Sequence, residues 1–209
     1  MKNSKLHPAS GIYLALVMLF LYLPIIMLIV LSFNGTNSTS VIQGFSTKWY
    51  VELFKDSATI TALTNTLILA VTSAITATVI GTLAAVGIDK MKKGAVKSSV
   101  MTVTNIPMMN PEIVTGVSMM LLFVFIGSIL GASGVLGFWT LFIAHVTFSL
   151  PYVILNVLPK LRQTDANLSQ AAQDLGCPPI KAFIKVVLPS ILPGVIAGLI
   201  MAFTLSFDD

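Results

Sequence analysis

Five long apolar runs, at 12–33, 63–88, 100–125, 136–158 and 186–207, divide this chain of 209 residues. Roughly 18 or more apolar residues wound into a helix cross the ~30 Å hydrocarbon layer of a bilayer. Only helices and closed β-barrels satisfy every backbone polar group in lipid, and barrel strands alternate apolar with polar residues over short segments. These runs are long and do not alternate, so an all-α, polytopic helical bundle in a membrane is expected. Composition agrees. The chain is 56% hydrophobic and 10% charged, too few charges to cover a soluble domain of this length.

Prolines interrupt the runs. Pro24 lies in the first, Pro107 and Pro111 in the third, Pro151 in the fourth, and Pro189 and Pro193 near the start of the fifth. Each removes a backbone donor and crowds the carbonyl one turn earlier. The pair in the third run, within Asn105-Ile106-Pro107-Met108-Met109-Asn110-Pro111-Glu112, is expected to break that helix. Broken helices at membrane depth persist where backbone lines a cavity or is buried in protein.

Charge orients the spans. Lys2 and Lys5 precede the first span, Lys90, Lys92, Lys93 and Lys97 lie between the second and third, and Lys160, Arg162, Lys181 and Lys185 between the fourth and fifth. The segment 34–62 has only Lys48 and Lys55, offset by Glu52 and Asp56, and 127–135 has no charge. Ten of the 12 Lys and Arg therefore share one side, and the positive-inside rule places that side, with the N-terminus, in the cytoplasm. The first span is 22 residues long with no small-residue cleavage site after it, which suits an uncleaved signal-anchor. The basic balance follows from topology and does not point to nucleic acid. One cysteine, Cys177, allows no disulfide framework. Five spans from an inner N-terminus leave Asp208 and Asp209 outside, and a sixth span beyond Asp209 is expected.

Small residues line two spans. Ala70, Ala74, Ala77, Gly81 and Ala85 repeat on the second, and Gly194, Gly198 and Ala202 on the fifth. Such spacing lets helices approach closely in lipid, where packing drives association. Packing within the bundle and contact with a second membrane subunit both suit it. The second span also carries Thr64, Thr66, Thr72, Ser73, Thr76 and Thr78, whose hydroxyls can bond their own helix backbone. Between the first two spans, Phe45, Trp49, Tyr50, Leu53 and Phe54 are expected on one face of a short helix over 45–56 in the outer interface, where Trp and Tyr favour the headgroup level.

Enzymatic chemistry has no visible seat. No Walker A sequence is present to cradle ATP phosphates. The two histidines, His7 and His145, and Cys177 show no metal-ligand spacing. His145, inside the fourth span, suits an interhelical hydrogen bond. Glu112 is the one ionisable residue well inside the third span. A carboxylate there costs a few kcal/mol unless it faces water or a partner. Two roles fit it: a helix N-terminus after Pro111, or a cation pathway. Asp208 and Asp209 fit an outer solvated cap or an acidic mouth that favours a cationic solute.

The segment 164–189 has another pattern. Thr164 or Asp165 suits a helix cap, and Ala166 to Leu175 favours helix, with Ala171 and Ala172 presenting a flat surface. Gly176 suits the left-handed residue after a helix end, and Pro178 and Pro179 the first turn of a second helix. Ile180, Phe183, Ile184, Val187 and Leu188 form an apolar stripe beside Lys181 and Lys185. Two short helices at an angle between spans can transmit a push from a docked protein.

This segment resembles the EAA loop of the integral membrane permeases of ATP-binding-cassette importers. The family pattern is Glu-Ala-Ala, three residues, Gly, nine residues, then Ile-x-Leu-Pro. This sequence has Gln170-Ala171-Ala172, Gly176 and Val186-Val187-Leu188-Pro189 at that spacing, with Gln170 in place of Glu and Val186 in place of Ile. Further segments resemble the spermidine/putrescine permeases: Ser46-Thr47-Lys48-Trp49-Tyr50, Asn65-Thr66-Leu67, Pro111-Glu112-Ile113-Val114 and Ser206-Phe207-Asp208-Asp209.

The resemblance implies a type I ATP-binding-cassette importer permease (MetI-like) core of about six spans in the bacterial cytoplasmic (inner) membrane. It implies that 164–189 is a coupling loop docking in a cleft of an ATPase dimer, with Gln170, Ala171, Ala172, Gly176, Leu188 and Pro189 as its coupling residues. Glu112, Asp208 and Asp209 are the substrate-pathway candidates. No cofactor is implied on this chain, and ATP and Mg belong to the partner ATPase. The other implied partners are a second permease subunit, a periplasmic polyamine-binding protein and the lipid bilayer. A permease for another solute and an ion-coupled secondary transporter are the competing readings. The second predicts broken helices in two repeated halves, and no clear internal repeat is visible.

Overall fold

The computed structural model describes residues 8–36, 41, 43–92, 94–109, 112–131, 134–165 and 167–208. Its long elements are helical, as the apolar runs require. They are α1 (Pro8–Ser32), α2 (Lys48–Lys55), α3 (Ser57–Lys90), α4 (Ala95–Met109), α5 (Glu112–Ile129), α6 (Phe138–Gln163), α7 (Asn167–Asp174), α8 (Pro179–Ala182) and α9 (Leu188–Asp208). A π-helical turn, Phe183–Val187, joins α8 to α9, so Pro179–Asp208 is one continuous helical run of 30 residues.

Among the described residues, four stretches are long and apolar enough to cross a membrane: Gly11–Ser32, Ser57–Lys90, Phe138–Gln163 and Pro179–Asp208. The expected third span is described as two helical stretches, α4 up to Met109, with Pro107 inside it, and α5 from Glu112. Asn110 and Pro111 lie outside the described residues. The break expected at Pro111, which cannot donate and disfavours helical backbone at the residue before it, falls on those two residues. The chain forms two compact units, 1–63 and 64–209.

In the first unit, α1 is exposed at every residue over 11–30. A helix apolar on all sides is stable only when lipid or protein covers it. Its end is fixed by a small polar knot. Asn34, 3% exposed, donates from Nδ2 to the Val41 carbonyl at 2.7 Å and accepts from the Gln43 amide at 2.8 Å. Asn34 and Phe45 form an antiparallel bridge, and Trp49 Nε1 donates to the Asn34 carbonyl at 2.8 Å. Phe33 stacks on Phe45 and meets Tyr50 at a tilt, each with ring centroids 5.2 Å apart. The interfacial helix therefore begins at Lys48 and not at Phe45: the bridge to Asn34 takes Phe45 out of helical backbone. Asp56 then caps α3, accepting from the Ala58 amide and the Thr59 hydroxyl.

In the second unit, the core is built where α3, α6 and α9 meet. Ala70, Ala74, Ala77 and Ala85 of α3, Val153, Val157 and Leu158 of α6, and Ile191 and Ala202 of α9 are each at most 2% exposed. The predicted small-residue stripes are the contact surfaces. A Cβ on Gly81 would stand 2.7 Å from Val153 Cγ1, one on Gly198 3.3 Å from Val153 Cα, and one on Gly194 2.8 Å from the Asn156 carbonyl oxygen. The threonines of α3 are largely spent on their own backbone: Thr72, Thr76 and Thr78 each donate to the carbonyl four residues back at 2.6–2.8 Å.

Candidate functional site

The predicted loop is built from its ends inward. Thr164 closes α6, donating from its amide and its hydroxyl to the Lys160 carbonyl, at 3.1 and 2.9 Å. Asp165 opens the next turn, its carboxylate accepting from the Asn167 amide at 2.9 Å. Ala166 lies outside the described residues. Helix α7 then ends in a Schellman motif: the Cys177 amide donates to the Ala172 carbonyl at 3.1 Å and the Gly176 amide to the Gln173 carbonyl at 2.9 Å. Gly176 has φ +83°, a left-handed conformation that a Cβ penalises. Pro178 is the N-cap of α8 and Pro179 its first residue, where the missing N–H costs nothing.

The surface this leaves is open. Gln170, Ala171 and Gly176 are exposed and Ala172 is half-buried. Leu175 is 90% exposed and Ile180 74% exposed, beside the flat face of α7. Leu188 is half-buried and Pro189 exposed in the first turn of α9. The apolar stripe expected over 180–188 is split. Phe183, Val187 and Leu188 turn partly inward, while Ile180 and Ile184 remain outside. The loop is thus an exposed short helix, a tight glycine turn and a helical rod continuous with a span. Among the described residues no group of three or more potential metal ligands occurs.

A second polar feature crosses the core. His145 Nδ1 of α6 lies 2.8 Å from Ser206 Oγ of α9, and Ser206 Oγ lies 2.9 Å from Ser73 Oγ of α3. Ser73 Oγ is also 2.7 Å from the Leu69 carbonyl. One direction of donation satisfies all three contacts: Nδ1–H to Ser206, Ser206 to Ser73, and Ser73 to Leu69. The reverse direction leaves the Leu69 contact unmade, because a serine hydroxyl has one proton. The expected interhelical hydrogen bond of His145 is present. Its partners were not named by the sequence. Ser206 continues the four-residue repeat of Gly194, Gly198 and Ala202, and Ser73 sits beside the small face of α3.

His145 also lines a cleft of about 720 Å³ between α5 and α6, with Thr115, Met119, Phe123, Thr140 and Phe148. Of the three candidate pathway acids, Asp208 is exposed in the last turn of α9. Glu112 is the first residue of α5; its side chain, and Asp209, lie outside the described residues. Asp208 follows Ser206 by two residues, so the His145–Ser206–Ser73 chain anchors the helix end that carries it.

Residues 77–209 match the model of the binding-protein-dependent transport system inner membrane component family. The chain belongs to that family. The matched stretch begins within α3 and contains α4 to α9, and so holds the loop, the cleft and most of the three-helix core. The permease is 37% identical to the putrescine transport system permease protein PotI of Escherichia coli K12 over 190 residues, covering 91% of this chain and 68% of that protein. It is 38% identical to the spermidine/putrescine transport system permease protein PotC of the same strain over 199 residues, 95% of this chain and 73% of that one. A PotC homolog of Mycoplasma genitalium is 30% identical over 207 residues, 94% and 72% respectively.

Proposed function

We propose that this permease is the membrane-spanning subunit of an ATP-driven importer of spermidine or putrescine. The names of its relatives support the solute class, at 36–38% identity over more than nine-tenths of the chain for PotI and the PotC proteins. The observation that carries the mechanism is the loop: an exposed α7 ending at Gly176 and a helical run from Pro179 into α9. A protein that grips α7 and moves it displaces a rod already packed, through Gly194 and Gly198, against α6.

In this reading Gln170, Ala171, Ala172, Gly176, Leu188 and Pro189 form the coupling surface for an ATPase dimer, which holds ATP and Mg; this chain hydrolyses nothing itself. Closure of the ATPases switches the bundle between inward-open and outward-open states. The exposed face of α1 and the rim of the α5–α6 cleft are left to lipid and a second permease, and a periplasmic binding protein delivers the solute. The basic ends of the spans face the cytoplasm, with the N-terminus on the same side. Glu112, Asp208 and Asp209 offer carboxylates to a polyamine cation, and the apolar cleft walls suit its methylene segments.

The test is purification in mild detergent from the native host, followed by reconstitution with the co-purifying subunits. Co-purification of an ATPase and a second membrane protein, with hydrolysis stimulated by spermidine or putrescine and a binding protein, is the expected result. A permease that takes up polyamine along an ion gradient without any ATPase would overturn the reading.

A further inference from the structure

A second cavity, about 670 Å³, opens where α3, α4 and α6 end together, lined by Asp89, Met91, Lys97, Ser98, Met101 and Arg162. We propose that it binds the headgroup of an anionic phospholipid. The inference does not depend on which solute the permease carries.

The level of the cavity is fixed by the spans. Asp89 is the penultimate residue of α3 and Arg162 the penultimate residue of α6, so the cavity lies where two membrane-crossing helices leave the hydrocarbon. That is the headgroup layer of whichever leaflet the basic ends face. Its size falls within the ~300–1,000 Å³ usual for small-ligand pockets.

Its chemistry is that of an anion receptor. Lys97 Nζ is held in place by the Asp89 carbonyl at 3.1 Å and the Met91 carbonyl at 3.3 Å. An ammonium has three donors, so one is left for a ligand. Among the described residues Arg162 makes no hydrogen bond or ion pair, although its guanidinium carries five N–H donors in a fork that fits phosphate oxygens. The Ser98 hydroxyl is likewise unbonded among the described residues. The Asp89 carboxylate also lines the cavity but pairs with neither cation among the described residues, and Lys90 and Lys92 follow it in sequence. Two lining cations against one carboxylate, with two more lysines nearby, leave the potential positive. Met91 and Met101 supply the apolar wall on which the glycerol and first acyl carbons rest. A free anion has no use for that wall. Basic pockets between spans hold anionic lipid headgroups by this combination.

The experiment uses the intact transporter in bilayers of phosphatidylcholine with or without phosphatidylglycerol. The probe is a photoactivatable phosphatidylglycerol, against a photoactivatable phosphatidylcholine control. Expected are selective labelling of the peptides around 89–101 and 162 by the phosphatidylglycerol probe, competition by unlabelled phosphatidylglycerol, and a loss of about fivefold in labelling for Arg162→Gln, the effect of one cation at a membrane surface. Arg162→Lys should retain most of it. Lys97→Gln is the less clean variant because Lys97 also caps α3. If Arg162→Gln does not accumulate, the competition pattern of the unaltered protein decides. Equal labelling by both probes, competition by inorganic phosphate, unchanged labelling in Arg162→Gln, or labelling that appears only after the ATPase is stripped away would each overturn the proposal.

Discussion

Val153 of α6 packs directly over Gly81 of α3, so closely that a Cβ on the glycine would stand 2.7 Å from Val153 Cγ1 and 2.8 Å from its Cβ. Gly198 of α9 meets the same valine from α9, its own would-be Cβ 3.3 Å from Val153 Cα. One fully buried side chain thus joins three spans. Gly81→Ala is expected to lower stability by about 1–3 kcal/mol, the usual cost of overpacking a tight contact. Adding Val153→Ala should recover part of that loss, so the double variant melts higher than the sum of the singles allows. Thermal melting in detergent reads this. Strict additivity would show that the two residues do not press on each other.

The closeness at Gly81 and Gly198 was legible because small residues repeating every three or four positions leave few alternatives in lipid. The Gly176 turn was legible for a similar reason: glycine followed by two prolines fits one helix end and one helix start. What the sequence hid is long-range. Nothing local says that Ser73, 133 residues from Ser206 in the chain, completes a hydrogen-bond chain to His145. That pairing exists because three helices cross at one level. The start of α2 was misplaced because aromatic periodicity includes Phe45, whereas its bridge to Asn34 depends on backbone pairing that periodicity does not carry. The π-turn over Phe183–Val187 was hidden as well. Its residues fit an α-helix equally well.

Ser206→Ala is expected to destabilise the permease and to do so jointly with its neighbours. Removing the central hydroxyl takes away both the acceptor of His145 Nδ1 and the donor to Ser73, whose own bond to the Leu69 carbonyl stays, while Ser73→Ala removes one interhelical contact. Interhelical hydrogen bonds in membranes are worth about 0.6–2 kcal/mol, so Ser206→Ala should cost toward the upper end of that range. Once Ser206 is alanine, Ser73→Ala should add almost nothing. Independent effects in a double-variant melting cycle would break the chain as described.

Asp56 sets a pH dependence at the start of α3. The Thr59 hydroxyl, followed by the Ala58 amide, holds its carboxyl below its ordinary value of 3.8. A lowered carboxylate contributes stability above its unfolded pKa and loses it as pH falls through the folded pKa. The first turn of α3 should therefore keep its hydrogen-exchange protection at neutral pH and lose it only below about pH 4. Asp56→Asn should remove the acid step and preserve the cap, because asparagine also caps helices. The same acid step in Asp56→Asn would assign it to another group.

Glu112 separates a pathway role from a structural one. A carboxylate contacting a polyamine nitrogen makes a charge-assisted bond worth about 1.5–3 kcal/mol. Glu112→Gln, which keeps the shape and most of the helix-capping capacity, should then lower uptake about tenfold or more while leaving the amount of inserted protein unchanged. Transport at the ordinary rate in proteoliposomes would leave Glu112 with the α5 N-terminus alone.

Gly176 gives the sharpest test of the coupling loop. Its φ of +83° costs a residue with a Cβ about 1–2 kcal/mol, more for a β-branched side chain. Gly176→Val should therefore undo the Schellman turn and change the angle between α7 and the rod that leads into α9. Ala171 and Ala172 would remain on an exposed helix, and the three-helix core, far along the chain at Val153 and Gly198, would be untouched. The assembled transporter should still form and hydrolyse ATP, but hydrolysis should no longer drive uptake. Gly176→Asn, which tolerates the left-handed conformation, should restore much of the coupling and so separate a lost turn from a lost fold. Parallel ATPase and uptake measurements on the same proteoliposomes decide the matter. Normal coupling in Gly176→Val would mean that the loop's geometry is not what links the ATPase to the membrane helices.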